Sequence, residues 1–199
     1  PLDVPLEILR EATGVSAHSG DVLIGEAIPA AFELKVPPPP SFDQALAAQA
    51  HSPALDPHIE NVVSGGLGFH PVCFCCGADV PKGVGLRVFA APVAGFEGVA
   101  AAWQPDAAFR DDAGVLPTSV VWAALDCPGQ FAYLADDIRT GLLGRMTAKV
   151  LAPVAGDVFV ITGWRIAVEG KKHFAGTALF DSNGRCCAYS KQVWIGRRD

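Results

Sequence analysis

Charge is scarce in this chain, and long apolar runs are missing altogether. Only 18% of its 199 residues are Asp, Glu, Lys or Arg, and the net charge is -6. An acidic balance of this kind excludes the general basic field of a nucleic-acid binder. No uninterrupted apolar stretch approaches the roughly 18 residues of a membrane span. No basic-plus-apolar leader precedes the first turn signals, so the expected location is cytoplasmic. The sequence opens at Pro1 without Met, the expectation being a processed or truncated product. A disulfide-like pattern of cysteine spacing is also lacking. The six occur as Cys73, Cys75, Cys76, Cys127, Cys186 and Cys187, and adjacent pairs suit a reduced protein better than a disulfide framework.

Hydrophobicity, at 50% of residues, is ample for a core. The charge is unevenly spread. Residues 1–138 hold 5 Lys+Arg against 17 Asp+Glu, and residues 139–199 hold 10 against 4. The second part is therefore a basic end, able to attract a small anion. Solvated strand edges guarded by Lys and Arg explain it equally well.

Residues 1–36 carry short strand-like runs around a Ser19-Gly20-Asp21 turn. Four prolines at 37–40 form a spacer, and Ser41 is placed to cap a short helix over 43–50. Residues 51–70 read as loop, which puts a Pro-rich linker at 37–69 and the compact domain at 70–199. Within that domain, 85–91 and 98–103 pattern as a hairpin pair. Residues 119–135 pattern as one helix with Thr118 or Ser119 at its N-cap. Strand patterns follow over 145–151, 158–169, 172–180 and 185–195, with a turn signal at Asp181-Ser-Asn-Gly184. One apolar helix among antiparallel strands implies an α+β fold, the sheet wrapped about the helix. The order of strand, turn and strand in 1–27 repeats faintly over 153–190, which suggests an incomplete N-terminal copy of the same unit.

Asp126 is the main chemical lead. It ends the run Val120-Val-Trp-Ala-Ala-Leu125, and a buried carboxylate is costly unless bonded, paired or open to a cleft. The alternative is structural: Cys127-Pro128-Gly129 follows, and Asp126 there could cap a second helical segment. Cys73-x-x-Cys76 has metal-ligand spacing, and Cys186-Cys187 offers a further pair. No metal is expected, because buried small hydrophobes explain these residues more simply. Cys127 as a nucleophile has no local partner, His70 and His173 being the histidines to bring one. Gly83-Val-Gly85 reads as a strand-entry turn without the residues of a phosphate loop.

Several pieces in order resemble the hotdog-fold thioesterase superfamily over about 70–196. They are Cys73-Phe-Cys-Cys-Gly77, the Gly83-Val-Gly-Leu86 turn, the helix ending Ala-Leu-Asp126, Leu151-Ala-Pro-Val-Ala-Gly156 and the stretch from Gly176 to Gly184. The chain looks most like a bacterial branch with a Leu-Asp-Cys-Pro-Gly helix and an N-terminal half-repeat. The resemblance implies an acyl-CoA-like thioester ligand, CoA being part of the substrate rather than a cofactor, and a homodimer. It places Asp126 at the carboxylate position. Pro117-Thr118-Ser119 stands where the family has a His-Gly-Gly-like turn, so carbonyl polarisation passes to Thr118, Ser119 or the Val120 N–H. Val120 and Trp122 become ligand contacts; Trp122 also reads, with Trp164 and Trp194, as core or interface. Lys171, Lys172 and His173, with Arg145, Lys149, Arg197 and Arg198, become candidates for holding CoA phosphates. The Asp-x4-His signature of hotdog hydratases is missing, since Phe131 stands five residues after Asp126. A non-catalytic acyl-ligand binder or assembly protein is the alternative.

Overall fold

The computed structural model describes residues 4–56 and 70–196. The chain divides into two compact units, Pro1–Glu33 and Leu34–Asp199. In the first, β1 (Glu7–Glu11), β2 (Gly14–Ser19) and β3 (Val22–Ala27) form a three-stranded antiparallel sheet. Gly20 at φ 57° makes the expected turn between β2 and β3. Ile8, Leu9, Val22, Leu23 and Ile24 are all exposed, so this sheet has no core of its own.

The second unit begins at Leu34, well before the boundary near residue 70 that the sequence suggests. The cause is α1 (Phe42–Ala48), which is part of the packed body rather than of a linker. Ser41 caps it with a capping box, its hydroxyl accepting from Gln44 N–H while the Gln44 side chain accepts from Ser41 N–H. Its buried face, Ala45 with Phe42 and Ala48, packs on Val93, Ala100 and Val160.

The main sheet holds six antiparallel strands in the order β4-β5-β9-β10-β11-β7. These are β4 (Ala91–Pro92), β5 (Val99–Trp103), β7 (Leu142–Val150), β9 (Phe159–Glu169), β10 (Lys172–Phe180) and β11 (Cys186–Ile195). Side chains alternate between faces along a strand. On β5 and β9, Ala100 and Val160 meet α1, while Val99, Ala101, Trp103, Phe159 and Ile161 enter the principal core. Both faces of this region are therefore covered, which is why residues 159–164 are buried without alternation. Asp181 Oδ1 accepts from the Asn183 and Arg185 N–H groups and fixes the β10–β11 turn. Among the described residues no helix is long and apolar enough to cross a membrane.

Two local expectations fail. Residues 86–90, buried except for Arg87, are irregular, and β4 pairs with β5 only through Ala91 and Pro92. The N–H groups of Leu86 and Val88 are bonded instead to the carbonyls of Phe74 and Cys75, so this segment holds the cysteine loop. The single helix over 119–135 is in fact two, α2 (Thr118–Ala124) and α3 (Pro128–Leu134). Pro128 has no N–H to continue the helical ladder and starts a new helix at its first position. A short pair, β6 (Val115–Leu116) with β8 (Val154–Ala155), leads into α2.

Candidate functional site

The break between α2 and α3 is fastened to the sheet. Gln192, fully buried on β11, donates through Nε2 to the carbonyls of Leu125 (2.6 Å) and Asp126 (3.0 Å), and its Oε1 accepts from Trp194 Nε1. The Asp126 carbonyl also accepts a long bond from Gly129 N–H, 3.4 Å, and that of Leu125 turns to Gln192 at the break; leaving such a group unsatisfied costs about 1–3 kcal/mol. Two glycines allow the close approach. A Cβ on Gly163 of β9 would strike the Pro128 carbonyl, and one on Gly129 would strike the Gln192 side chain.

Asp126 sits at this break. Its Oδ1 is buried with no hydrogen-bond partner. Burial, reinforced by the negative charge of Cys73, pushes its carboxyl up to about 6. The capping alternative fails: Cys127 is the N-cap of α3, and no side chain caps that helix. Ser119 and Trp122, one turn apart on α2, are exposed, and Asp126 lies two residues beyond the end of that helix.

Thr118 and Ser119 lie in the first turn of α2 and are exposed; neither is its N-cap, which is Pro117 with no side-chain cap bond. The Pro117 carbonyl accepts from the N–H groups of Val120 and Val121, so the Val120 N–H is already engaged. Beside this turn lies a cleft of about 500 Å³ bordered by Leu116, Pro117, Thr118, Val121, Val150 and Val154. A second, of about 490 Å³, lies by Phe96, Ala132, Asp136 and Arg165. The cation there is paired, Arg165 lying 2.7 Å from Asp136.

The expected phosphate-binding residues do not join this region. Lys171 lies in the β9–β10 turn, and Lys172 begins β10, in register with Glu169 of β9 and Ile195 of β11. The cleft instead borders the Val150 end of β7, whose register partner Ala188 is seven residues before Ile195. That is on the order of 23 Å away along the strand. His173 is buried with its ring edge-on to Tyr133, 5.1 Å between centroids. Arg145 and Lys149 lie on β7; Arg197 and Arg198 fall outside the described residues. Trp164 and Trp194 are buried.

The cysteines supply what the sequence reading missed. Cys73, Cys76 and Cys127 bring their sulfurs within 4.8 Å of one another, and Cys73 Sγ is 3.7 Å from Cys127 Sγ. Cys186 and Cys187 are not in that group. Hydrogen bonds from Cys127 and Cys76, and from the backbone of Cys75 and Cys76, hold the Cys73 thiol far below its ordinary range. Cys127 is pushed up by its bonds to Cys73, Cys75 and Cys76 and by burial, which makes it a poor nucleophile. The missed signal was the Cys127 partnership, 54 residues from Cys73 and visible only once the helix breaks beside it.

No protein-family model matches the chain, and no curated protein matches it. Solved structures do resemble it. One thioesterase-superfamily protein aligns with a TM-score of 0.52 at 13% identity, covering 56% of this chain and 55% of that one. This chain thus spans little more than half of that neighbour. A second thioesterase-superfamily protein aligns at 0.50 with 13% identity, over 56% of this chain and 86% of that one. The E. coli PaaI protein, from the phenylacetic acid degradation operon, aligns at 0.50 with 10% identity, over 57% and 81%. The chain has the antiparallel hotdog fold of the thioesterase superfamily.

Proposed function

We propose that this protein hydrolyses an acyl-CoA-like thioester, with Asp126 as general base. The observation that carries the reading is a buried carboxylate oxygen of Asp126, at a helix break, with no hydrogen-bond partner. A structural carboxylate in such a place would have acquired a bonding partner. In the reaction Asp126 takes a proton from water as the water oxygen adds to the thioester carbonyl. The tetrahedral intermediate then collapses, breaking the C–S bond and releasing the thiol and a carboxylic acid.

The intermediate's oxyanion needs donors. In this chain the uncommitted candidates are the Thr118 hydroxyl and the N–H groups of Thr118 and Ser119. They stand about 12 Å along the helix from Asp126, too far to serve the same carbonyl. A complete site therefore pairs Asp126 of one protomer with the α2 start of another, a homodimer. Strand β7 supports this reading, since it ends the six-stranded sheet and one of its sides is unpaired among the described residues. The cleft beside Thr118 is of a size to take an acyl group.

The test is thiol release from a panel of acyl-CoA esters, from short to long aliphatic chains plus a phenylacetyl ester, by wild type and Asp126→Ala. The phenylacetyl ester is included because of the operon named for the PaaI neighbour. Hydrolysis by wild type that is lost in Asp126→Ala supports the proposal. Equal turnover by both proteins removes Asp126 from the chemistry. Binding without turnover by wild type favours a non-catalytic acyl binder, the reading suited to a chain with Pro117-Thr-Ser119 in place of a glycine-rich turn.

A further inference from the structure

The cysteine cluster has a use that thioester hydrolysis does not require. Its construction begins with a tight knuckle. Gly77 N–H bonds the Cys73 carbonyl at 2.7 Å, and Cys73 N–H bonds the His70 carbonyl at 3.0 Å. A Cβ on Gly77 would lie 2.5–2.6 Å from Cys73 O, Cys73 N and Pro71 O, so glycine alone fits after Cys76. The N–H groups of Cys75 and Cys76 point at the Cys73 sulfur. This is the backbone arrangement that neutralises a metal-bound thiolate in a Cys-x-x-Cys turn. Arg87 closes the loop from outside by donating to the carbonyls of Ala78 and Val80.

The third sulfur comes from the helix break. Cys127, buried at the start of α3, is held in place by Pro128 and by the Gln192 clamp on the preceding carbonyls. A tetrahedral zinc with bonds of about 2.3 Å to sulfur needs ligand sulfurs about 3.8 Å apart. Cys73 and Cys127 stand at 3.7 Å, and all three sulfurs lie within 4.8 Å. Three buried small hydrophobes would not need convergent sulfurs, a glycine-only turn and inward N–H groups together.

We propose that Cys73, Cys76 and Cys127 bind one Zn2+ ion through their three thiolates, whose sulfurs already lie within 4.8 Å of one another. His70, three residues before Cys73, is not in that group, which leaves the fourth position to water. Three thiolates on Zn2+ carry a net charge of -1. Loading expels thiol protons to solvent, so affinity rises with pH. The ion ties the cysteine loop to the break that carries Asp126.

The experiment is metal analysis of the full-length protein purified without metal-affinity steps from zinc-supplemented culture, followed by replacement with Co2+. The expected result is about one zinc per chain, and a cobalt form with thiolate-to-metal charge transfer and the intense visible bands of tetrahedral geometry. Cys76→Ser and Cys127→Ser lose the metal; Cys186→Ser and Asp126→Asn keep it. In case the loss variants do not fold, alkylation of the wild type provides a second reading. Zinc shields Cys73, Cys76 and Cys127, and chelation exposes them, while Cys186 is unaffected. A folded wild type that holds no zinc and shows no cobalt spectrum overturns the proposal. A Cys73–Cys127 disulfide in the reduced-purified protein overturns it too. Because Asp126→Asn keeps the metal, failure of the hydrolysis reading and failure of the zinc reading are separable.

Discussion

Two glycines, Gly129 and Gly163, fix the geometry around Asp126 more than their size suggests. Gly163 lets α3 rest on β9, since any Cβ there meets the Pro128 carbonyl. Gly163→Ala is expected to destabilise the protein by about 2–3 kcal/mol through overpacking. In a chain of this length that is a fall of several degrees in Tm, measured by calorimetry; an unchanged Tm would mean that α3 does not sit where described. Asp126 itself was legible as a costly carboxylate from the apolar run before it. Its lack of a capping role was not legible, because Pro128 makes a capping site equally plausible in sequence. Only the absence of a bond to its Oδ1 decides between them.

At the scale of elements, the long strands were the most readable. The stretch from Lys172 to Phe180 and the turn after it are where the period and the Asp-Ser-Asn-Gly signal put them. The hairpin expected over 85–91 failed because that segment spends its N–H groups on Phe74 and Cys75 instead of on a neighbouring strand. No periodicity reports a partner of that kind. The helix break was half visible, since Pro128 was noticed but the apolar pattern runs across it. What makes the break stable is Gln192, a polar residue on a strand 67 positions from Leu125. Gln192→Leu removes both donors to the broken carbonyls and the acceptor for Trp194. The expected cost is about 2–4 kcal/mol, read as a shift in the urea midpoint. A loss within the error of the measurement would show that water or another group satisfies these carbonyls.

For the whole molecule, the boundary at Leu34 corrects a linker reading that prolines 37–40 invited. A Pro-rich stretch can lie packed when the helix after it has a small apolar face, and Ala45 gives α1 that face. Scale also bears on the residues expected to hold phosphates. Lys171 and His173 are near other cations in pattern, yet strand length carries them to the far end of the sheet from the cleft by Thr118. The proposed shared site requires two chains. Light scattering is expected to give twice the 20.8 kDa chain mass, independent of concentration in the micromolar range. A stable monomer would break the pairing of Asp126 with donors from a second α2.

The central claim is that Asp126 acts on the bond being broken rather than on the fold or on substrate binding. The most direct measurement is the pair kcat and KM for Asp126→Asn and wild type, on whichever acyl-CoA ester the wild type hydrolyses best. A lost general base predicts a kcat lower by about 10²–10⁴-fold, with KM within a few-fold and the melting curve still cooperative. An unchanged kcat, or a change confined to KM, would contradict the account.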